Sequence, residues 1–447
     1  MKTSKFKMTE IGEIPADWEV KKLGECCINF NYGVGAEAIP YVSGRKYIRI
    51  TDIDERSRKY KPDVVMASAF ETDNSIVNDG DILVARTGAS VGKSYCYDSK
   101  DGELVFAGFL MRFHPENINS KYVFLTTLIG RYAQWVASES ARSGQPGINI
   151  QQLKSYQIPV PPLAEQKAIA EALSEVDALI AAQEELIEKK RAIKQGAMQE
   201  LLTGKKRLVG FKNSESSCLC ASVLKKDAGV VEGGFNTETQ RRRGIEFKMT
   251  EIGLIPENWD VKRIGDMGQV VTGSTPPRKN SANWGGDFNW ISAKDFNGKY
   301  ISKTEEHITE AGKRFCRLLP ENSVLVTCIA SIGLNAITKK ACATNQQINA
   351  VVCRVDLPEY LYYQICYRNG DLKLLAGQTA VPIIGKKQFE DVLIPVPSLP
   401  EQKAIAEVLS DMDAEISELE AQKAKFESIK QGMMQELLTG KTRLKGV

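Results

Sequence analysis

The chain has 447 residues, 26% of them charged and 43% hydrophobic, with a formal net charge of +3. That length allows two or three domains, each able to bury its own core, and the composition is that of an ordinary soluble protein. No uninterrupted apolar run approaches the roughly 18 residues that a membrane helix needs, and the charge argues neither for nor against nucleic acid.

The first stretch, "MKTSKFKMTEIGEIP", has no apolar core, so a secretory signal is not expected. Ten cysteines are present, yet only Cys218 and Cys220 stand at a C-x-C spacing, and His114 and His307 are isolated. No zinc-type cluster forms from that set, and the thiols read as reduced and structural in a cytoplasmic protein.

From Ala85 to Ser94 the sequence "ARTGASVGKS" ends like a phosphate-binding loop. That loop requires a glycine where Thr87 stands, and its lysine should open a helix that holds the phosphates. Lys93 is followed instead by "SYCYDS", an alternating run that predicts a strand. A strand with a tight turn is the expectation, and no nucleotide site.

A long helix is predicted from Glu165 to about Leu202, with apolar residues at Ile169, Leu173, Val176, Ile180, Ile187 and Leu201. "PVPP" (159–162) precedes it, and Gly204 follows as a C-terminal stop. The segment 208–246 is low in aromatics and rich in small polar residues, which reads as a mobile linker.

Beyond the linker the chain repeats itself. "FKMTEIGEIPADWEVKKLG" from Phe6 returns from Phe247 as "FKMTEIGLIPENWDVKRIG", a shift of 241 residues. "LAEQKAIAEALSEVDALI" from Leu163 returns as "LPEQKAIAEVLSDMDAEI" from Leu399, a shift of 236, and "IKQGAMQELLTGKKRL" from Ile193 returns from Ile429 at the same shift. "ILVARTGASVGKS" aligns with "VLVTCIASIGLNA" from Val324 if one residue is lost, which puts Leu334 opposite Lys93. The chain is therefore two copies of one unit, a globular part followed by a long helix.

The second helix carries Ile405, Leu409, Met412, Ile416, Leu419, Phe426, Met433 and Leu437 in the four-three alternation of a coiled-coil seam. Gln183 and Lys190 occupy the places of Leu419 and Phe426, and Lys423 that of Ile187. Helices that compensate each other in this way are expected to pack together, rather than to be two independent surface helices. Each has about 38 residues, so roughly 57 Å of length. Antiparallel packing would put the globular units at opposite ends with a pseudo-twofold axis, and parallel packing would put both at one end. The connectivity favours the first. Gly196 and Gly432 lie inside the helices, where their recurrence suggests close contact between helices; inheritance through duplication is the alternative.

From 163 to 208 there are eight acidic and eight basic residues, and from 399 to 444 nine and six, so the rest of the chain carries +6. That excess gathers in "GRKYIR" (44–49), "ERSRKYK" (55–61), "RKN" (278–280) and "GKK" (385–387), beside Tyr47, Tyr60, Trp284 and Trp290. Basic clusters interleaved with aromatics suit a nucleic-acid surface, although each taken alone can be a solvated face.

With its paired "EQKAIAE" (165–171, 401–407) and "QELLTGK" (199–205, 435–441) blocks, the chain resembles the specificity subunit of type I restriction-modification systems. "GEIPADWEVKKLG" (12–24) and its echo from Gly253, "YIRITDID" (47–54), "TGSTPPRKN" (272–280) and "ATNQQINAV" (343–351) carry the resemblance further. It implies an α+β protein with two tandem α/β target-recognition domains, separated by two long antiparallel coiled-coil helices with pseudo-twofold symmetry. The expected boundaries are recognition domains over 1–160 and 247–397, spacer helices over 161–204 and 398–441, and a flexible linker over 205–246.

The resemblance further implies a non-catalytic subunit that reads a bipartite, asymmetric stretch of double-stranded DNA. It would dock two modification subunits on the coiled coil and join restriction subunits. S-adenosylmethionine, ATP and Mg2+ would belong to those partners. No glycine-rich cofactor loop, amino-methylation motif, helicase signature or nuclease signature stands in this sequence.

Candidate DNA contacts are side chains able to pair with guanine or adenine edges or to hold phosphates. In the first copy these are Arg45, Lys46, Arg49, Arg86, Thr87, Ser90, Lys93, Arg142 and Gln145. In the second they are Thr275, Arg278, Lys279, Asn280, Lys294, Ser331, Gln346, Gln347, Gln378, Lys386 and Lys387. The amides of "NQQIN" can alternatively bond backbone at a core-edge strand. Where the second copy has "ATNQQINAV" the first has "VFAGFLMRF", so its readout there stays open.

Overall fold

The computed structural model describes residues 6–141, 146–211, 246–377 and 381–444. It divides into two compact units, Met1–Glu185 with Glu420–Val447, and Leu186–Leu419. Each unit joins one globular part to portions of both long helices. The expected linker lies almost wholly outside the described residues.

In the first unit β1 (Phe6–Thr9) and β2 (Gly12–Pro15) form a hairpin, and β3 (Glu19–Lys22) leads through α1 (Leu23–Cys26) into β4 (Cys27–Tyr32). Next come β5 (Ala38–Pro40), β6 (Lys46–Ile48), β7 (Met66–Ser68), β8 (Ile82–Ala85), β9 (Ser94–Cys96), β10 (Leu104–Phe106) and β11 (Leu110–Pro115). The central sheet has the order β4-β11-β8-β9, all antiparallel, and β10 runs parallel to β6. Strand β8 reads ILVA because both of its faces are covered. Ile82 and Val84 join Phe113 and Val123 on one side, while Leu83 and Ala85 join Ile48 and Phe106 on the other. Helices α2 (Ser120–Thr126), α3 (Gly130–Ser140) and α4 (Ile150–Ser155) follow, then β12 (Gln157–Val160), which pairs with β3.

The strand expected after Lys93 is β9. Gly92, at φ +82°, makes the turn: its N–H donates to Ala85 O at 2.8 Å, and an added Cβ would lie 2.7 Å from Val136. Lys93 is spent inside the protein, its Nζ donating to Ile53 O at 2.9 Å and pairing with Glu55 at 2.8 Å.

In the second unit β13 (Phe247–Thr250), β14 (Gly253–Pro256), β15 (Asp260–Arg263), α6 (Ile264–Met267) and β16 (Gly268–Thr272) repeat the opening order. After β17 (Trp284–Ile291), β18 (Tyr300–Ile301), β19 (Glu306–Ile308) and α7 (Glu310–Lys313), the central strands are β20 (Val324–Thr327), β21 (Asn335–Thr338), β22 (Cys342–Thr344) and β23 (Ile348–Cys353). They build the sheet β16-β23-β20-β21-β18 and, beside it, β19-β17-β22. Gly333, at φ +83°, makes the turn that Gly92 makes in the first unit, its N–H donating to Thr327 O at 2.9 Å. Among the described strand–strand ladders only β6–β10, β17–β22 and β18–β21 are parallel, with one isolated parallel bridge between Val34 and Ala107. The globular parts thus have less α/β character than expected, being mainly antiparallel sheets with short helices. The unit continues with α8 (Pro358–Tyr367), α9 (Asn369–Leu375), α10 (Lys386–Glu390) and β24 (Leu393–Val396), which pairs with β15.

The long helices are α5 (Leu163–Leu201) and α11 (Leu399–Leu437), 39 residues each. Within the first unit the two run antiparallel. Asp177 pairs with Lys430 at 2.7 Å and Glu184 with Lys423 at 2.8 Å, while Gln183 meets Gln422 at 3.3 Å. Within the second unit Lys190 pairs with Glu415 at 2.5 Å and Lys194 with Asp413. The wet seam positions Lys190 and Lys423 are therefore answered by carboxylates on the other helix, and Gln183 by an amide. Ile169, Leu173, Ile187, Ile405, Leu409 and Ile416 are buried, and Val176, Ile180, Met412, Leu419 and Phe426 half-buried, since one partner helix covers only part of a helix circumference.

The repeated motifs meet in one knot per unit. Glu165, at the start of α5, accepts from Trp18 Nε1 at 3.0 Å and from Arg443 at 2.5 and 2.7 Å, and Arg443 also grips Asp17 at 2.9 and 3.0 Å. In the second unit Glu401 accepts from Trp259 Nε1 at 3.1 Å and from Arg207 at 2.8 and 2.6 Å. Each arginine follows the helix of the other copy, so antiparallel pairing is what completes the knot. Beside it Gly204 (φ +71°) and Gly440 (φ +69°) end the helices where an added Cβ would lie 2.4 Å from Pro256 and Pro15. Gly196 and Gly432 correct the expectation of close helix contact: both are exposed, and an added Cβ would meet nothing within 4 Å.

Candidate nucleic-acid interface

Both globular parts build one loop cluster on the same backbone frame. At the end of β4 an added Cβ on Gly33 would lie 2.3 Å from Phe106 O and Ala107 O, and at the end of β16 one on Gly273 would lie 2.1 Å from Asn345 O. Only glycine allows that approach. In the first unit Ala107 N–H donates to Ile48 O at 3.0 Å, Arg86 N–H to Phe109 O at 3.0 Å and Ile148 N–H to Arg86 O at 2.8 Å. In the second, Asn345 N–H donates to Ile291 O at 3.1 Å, Cys328 N–H to Gln347 O at 2.8 Å and Ile384 N–H to Cys328 O at 2.8 Å. The stations therefore correspond as Arg86 to Cys328, Phe109 to Gln347 and Ile148 to Ile384; the first two pairs are unlike in side chain, while the third keeps isoleucine in both units.

In the first unit the cations of "GRKYIR" are largely committed. Arg45 pairs with Glu71 at 2.5 Å and Glu103 at 3.2 Å, and Lys46 Nζ donates to Asp101 O at 2.6 Å. Arg49 makes a two-point contact with Asp52 at 2.9 and 2.8 Å, which holds its guanidinium charged. The Lys93 ammonium keeps the Glu55 carboxyl below its ordinary range. Tyr47, expected at a surface, is buried, its hydroxyl donating to Val34 O at 2.9 Å. Arg86 stands apart: its guanidinium lies 4.7 Å from the centre of the Tyr32 ring and has no carboxylate partner among the described residues. Thr87 bridges to Gly147, and Ser90 lies half-buried in the turn. Arg142 and Gln145 lie outside the described residues.

In the second unit Thr275 Oγ1 donates to Gln346 Oε1 at 2.6 Å, which ties "TGSTPPRKN" to "NQQIN". Gln346 is exposed. Gln347 is half-buried and accepts from Asn345 Nδ2 at 3.0 Å, so the amide run is partly surface and partly brace. Arg278 lies 4.0 Å from the Trp284 ring and 4.8 Å from that of Trp290, and both of its terminal nitrogens reach Glu306. That contact holds the Glu306 carboxyl below its ordinary value of 4.5. Trp290 itself is core, at 2% exposure. Lys279 and Lys294 are exposed, with no ion-pair partner among the described residues. Asn280 caps a short turn by accepting from Ala282 N–H at 3.1 Å. Ser331 is exposed, while Lys386 and Lys387 pair within α10 and its end with Glu390 at 3.5 Å and Asp391 at 3.1 Å. Gln378 lies outside the described residues.

Sequence reasoning missed Phe109, which is 64% exposed, and Tyr32, 42% exposed. Alignment of "VFAGFLMRF" with "ATNQQINAV" already placed Phe109 opposite Gln347; the missing signal was its exposure. Among the described residues no group of three or more His, Cys, Asp and Glu side chains is gathered to hold a metal, and no helix is long and apolar enough to cross a membrane.

The model of the type I restriction modification DNA specificity domain matches residues 15–190 and 256–427. The putative type I restriction enzyme MjaX specificity subunit of Methanocaldococcus jannaschii is 28% identical over 461 residues, covering 99% of this chain and 98% of that protein. The MjaIX specificity subunit of the same organism is 40% identical over 192 residues, 41% of this chain and 44% of that one. Among solved structures, the type I restriction-modification system S subunit from M. genitalium shares the fold at a TM-score of 0.55 and 14% identity, covering 97% of this chain and 98% of that one. With most of both globular parts and of both long helices matched by one model, the chain belongs to the type I restriction-modification DNA specificity family.

Proposed function

We propose that this specificity subunit reads a bipartite, asymmetric DNA target, one half with each globular unit, and that the two long helices form an antiparallel coiled coil that spaces the halves and docks modification subunits. The observation that carries the reading is the duplicated loop frame with unlike occupants. Arg86, Tyr32 and Phe109 stand in one unit where Cys328, Gln347 and the Thr275–Gln346 pair stand in the other. A protein with two similar frames reads two half-sites spaced by its own geometry, and different side chains make the halves different. In this reading the globular parts are target-recognition domains over 1–160 and 247–397, and methylation and cleavage, with S-adenosylmethionine, ATP and Mg2+, belong to partner subunits.

Docking is supported by the helix surface. Leu179, Leu186 and Ile193 are 52%, 38% and 41% exposed at seven-residue spacing along α5, an apolar row that a partner helix can cover. The test is gel retardation of randomised duplexes by the chain with its modification subunit. A split sequence should be selected, with binding that weakens as salt rises. Absence of any preference among the duplexes would refute the role. Arg86→Ala and Lys279→Ala should each weaken retardation, whereas a scaffold that never touches DNA would leave it unchanged.

A further inference from the structure

At one backbone station the two units present side chains of different kind. Gln347 and Phe109 hold equivalent places, each carbonyl accepting the N–H of the residue that follows the neighbouring strand, at 2.8 and 3.0 Å. The next residue starts a strand in both, with Ile348 opposite Thr327 and Leu110 opposite Ala85. Phe109 is thus held from both sides, yet its side chain is 64% exposed while Leu110 is fully buried. An aromatic ring fixed in solvent by a rigid frame gains nothing for the fold and is available to a ligand.

Its neighbours define that ligand. Continuing the register puts Arg86 opposite Phe109, so the two side chains leave the same face of the sheet. The Arg86 guanidinium lies over the Tyr32 ring at 4.7 Å, and it has no carboxylate partner among the described residues, so its planar set of N–H donors is not spent on an ion pair. Paired donors in a plane match the N7 and O6 acceptors of guanine, and the one apolar mark in the major groove is the thymine methyl group. Phe109 has no hydrogen-bonding group, so among major-groove features only that methyl distinguishes one base for it.

We propose that Phe109 is a specificity-determining residue of the first unit, contacting a thymine methyl group beside a guanine held by Arg86. The proposal rests on the DNA-reading role above and names the chemistry of one half-site. It also accounts for the absence of amides where the second unit carries Gln346 and Gln347.

The test uses the full chain with its modification subunits and a duplex bearing its selected target. The first unit's half-site is the one whose base changes cease to matter in Arg86→Ala. Thymines in that half-site are replaced singly by deoxyuridine, which removes only the methyl group. One replacement should weaken binding of the unaltered protein about fourfold, the worth of one buried methyl-sized group. The same replacement should have no effect on Phe109→Ala and a reduced effect on Phe109→Leu. Replacements in the other half-site should act alike on all three proteins. An unaltered protein indifferent to deoxyuridine overturns the proposal, as does a first half-site without thymine, or a Phe109→Ala protein that still separates the two bases. Equal loss on every duplex, with loss of DNA bending, would make Phe109 a wedge between base steps and also overturns it. If the unaltered duplexes show no preference at all, the DNA-reading role fails first, and that result is seen before any uridine is introduced.

Discussion

Arg207 and Arg443 do the same work in differently wet surroundings. The Arg207 and Glu401 side chains are 3% and 1% exposed, whereas Arg443 is 42% exposed opposite Glu165 at 6%. A buried pair that loses one partner leaves an uncompensated charge at a cost of about 3–5 kcal/mol. Glu401→Gln should therefore lower the urea-unfolding free energy by about that much, and Glu165→Gln clearly less, because water can solvate Arg443. The Glu306–Arg278 contact gives a pH signature. A carboxyl held below its unfolded value of 4.5 stabilises the fold above that pH and loses the contribution as pH falls through its lower folded value. Acid titration followed by tryptophan fluorescence should show a transition below about pH 4.5 from Trp284, which lies 4.0 Å from Arg278, and Arg278→Ala should remove it. At this scale the candidate site was only partly legible. "GRKYIR" looks like a free basic patch until Glu71, Glu103 and Asp52 arrive from elsewhere in the fold, and Arg86 looks like any other arginine until Tyr32 is under it.

Helices and their glycines carry the next scale. Gly196 and Gly432 are exposed with open space where a Cβ would stand, so Gly196→Ala or Gly432→Ala should raise stability by up to about 1 kcal/mol in thermal unfolding. Gly440→Ala should do the opposite, because that position combines φ +69° with a Cβ placed 2.4 Å from Pro15. With Gly204, these four glycines are equally visible as letters, but only φ and the neighbouring atoms separate helix stops from inherited passengers. The seam, by contrast, was legible, since a four-three apolar period is local information. Its outward counterpart is the row Leu179, Leu186 and Ile193. Leu186→Asp should leave the unfolding free energy nearly unchanged while weakening association with the modification subunit in analytical ultracentrifugation.

For the molecule as a whole, duplication is the governing fact. One frame, written twice, holds two sets of loop side chains, and the proposed target accordingly has two unlike halves. Methylome sequencing of the host before and after deletion of this subunit should reveal a methylated motif of two different parts flanking unread bases, lost in the deletion. A symmetric or continuous motif would contradict the asymmetry of Arg86 and Phe109 against Cys328 and Gln347. By itself the sequence determined the repeat, the helix lengths, the seam and the turns after β8 and β20, because each is a pattern among residues near one another along the chain. Only the tertiary structure decided which cations remain free, which aromatics are core, and that Glu165 is gripped by an arginine 278 residues away. Burial and charge neutralisation depend on atoms brought in from distant parts of the chain, and no local period encodes them.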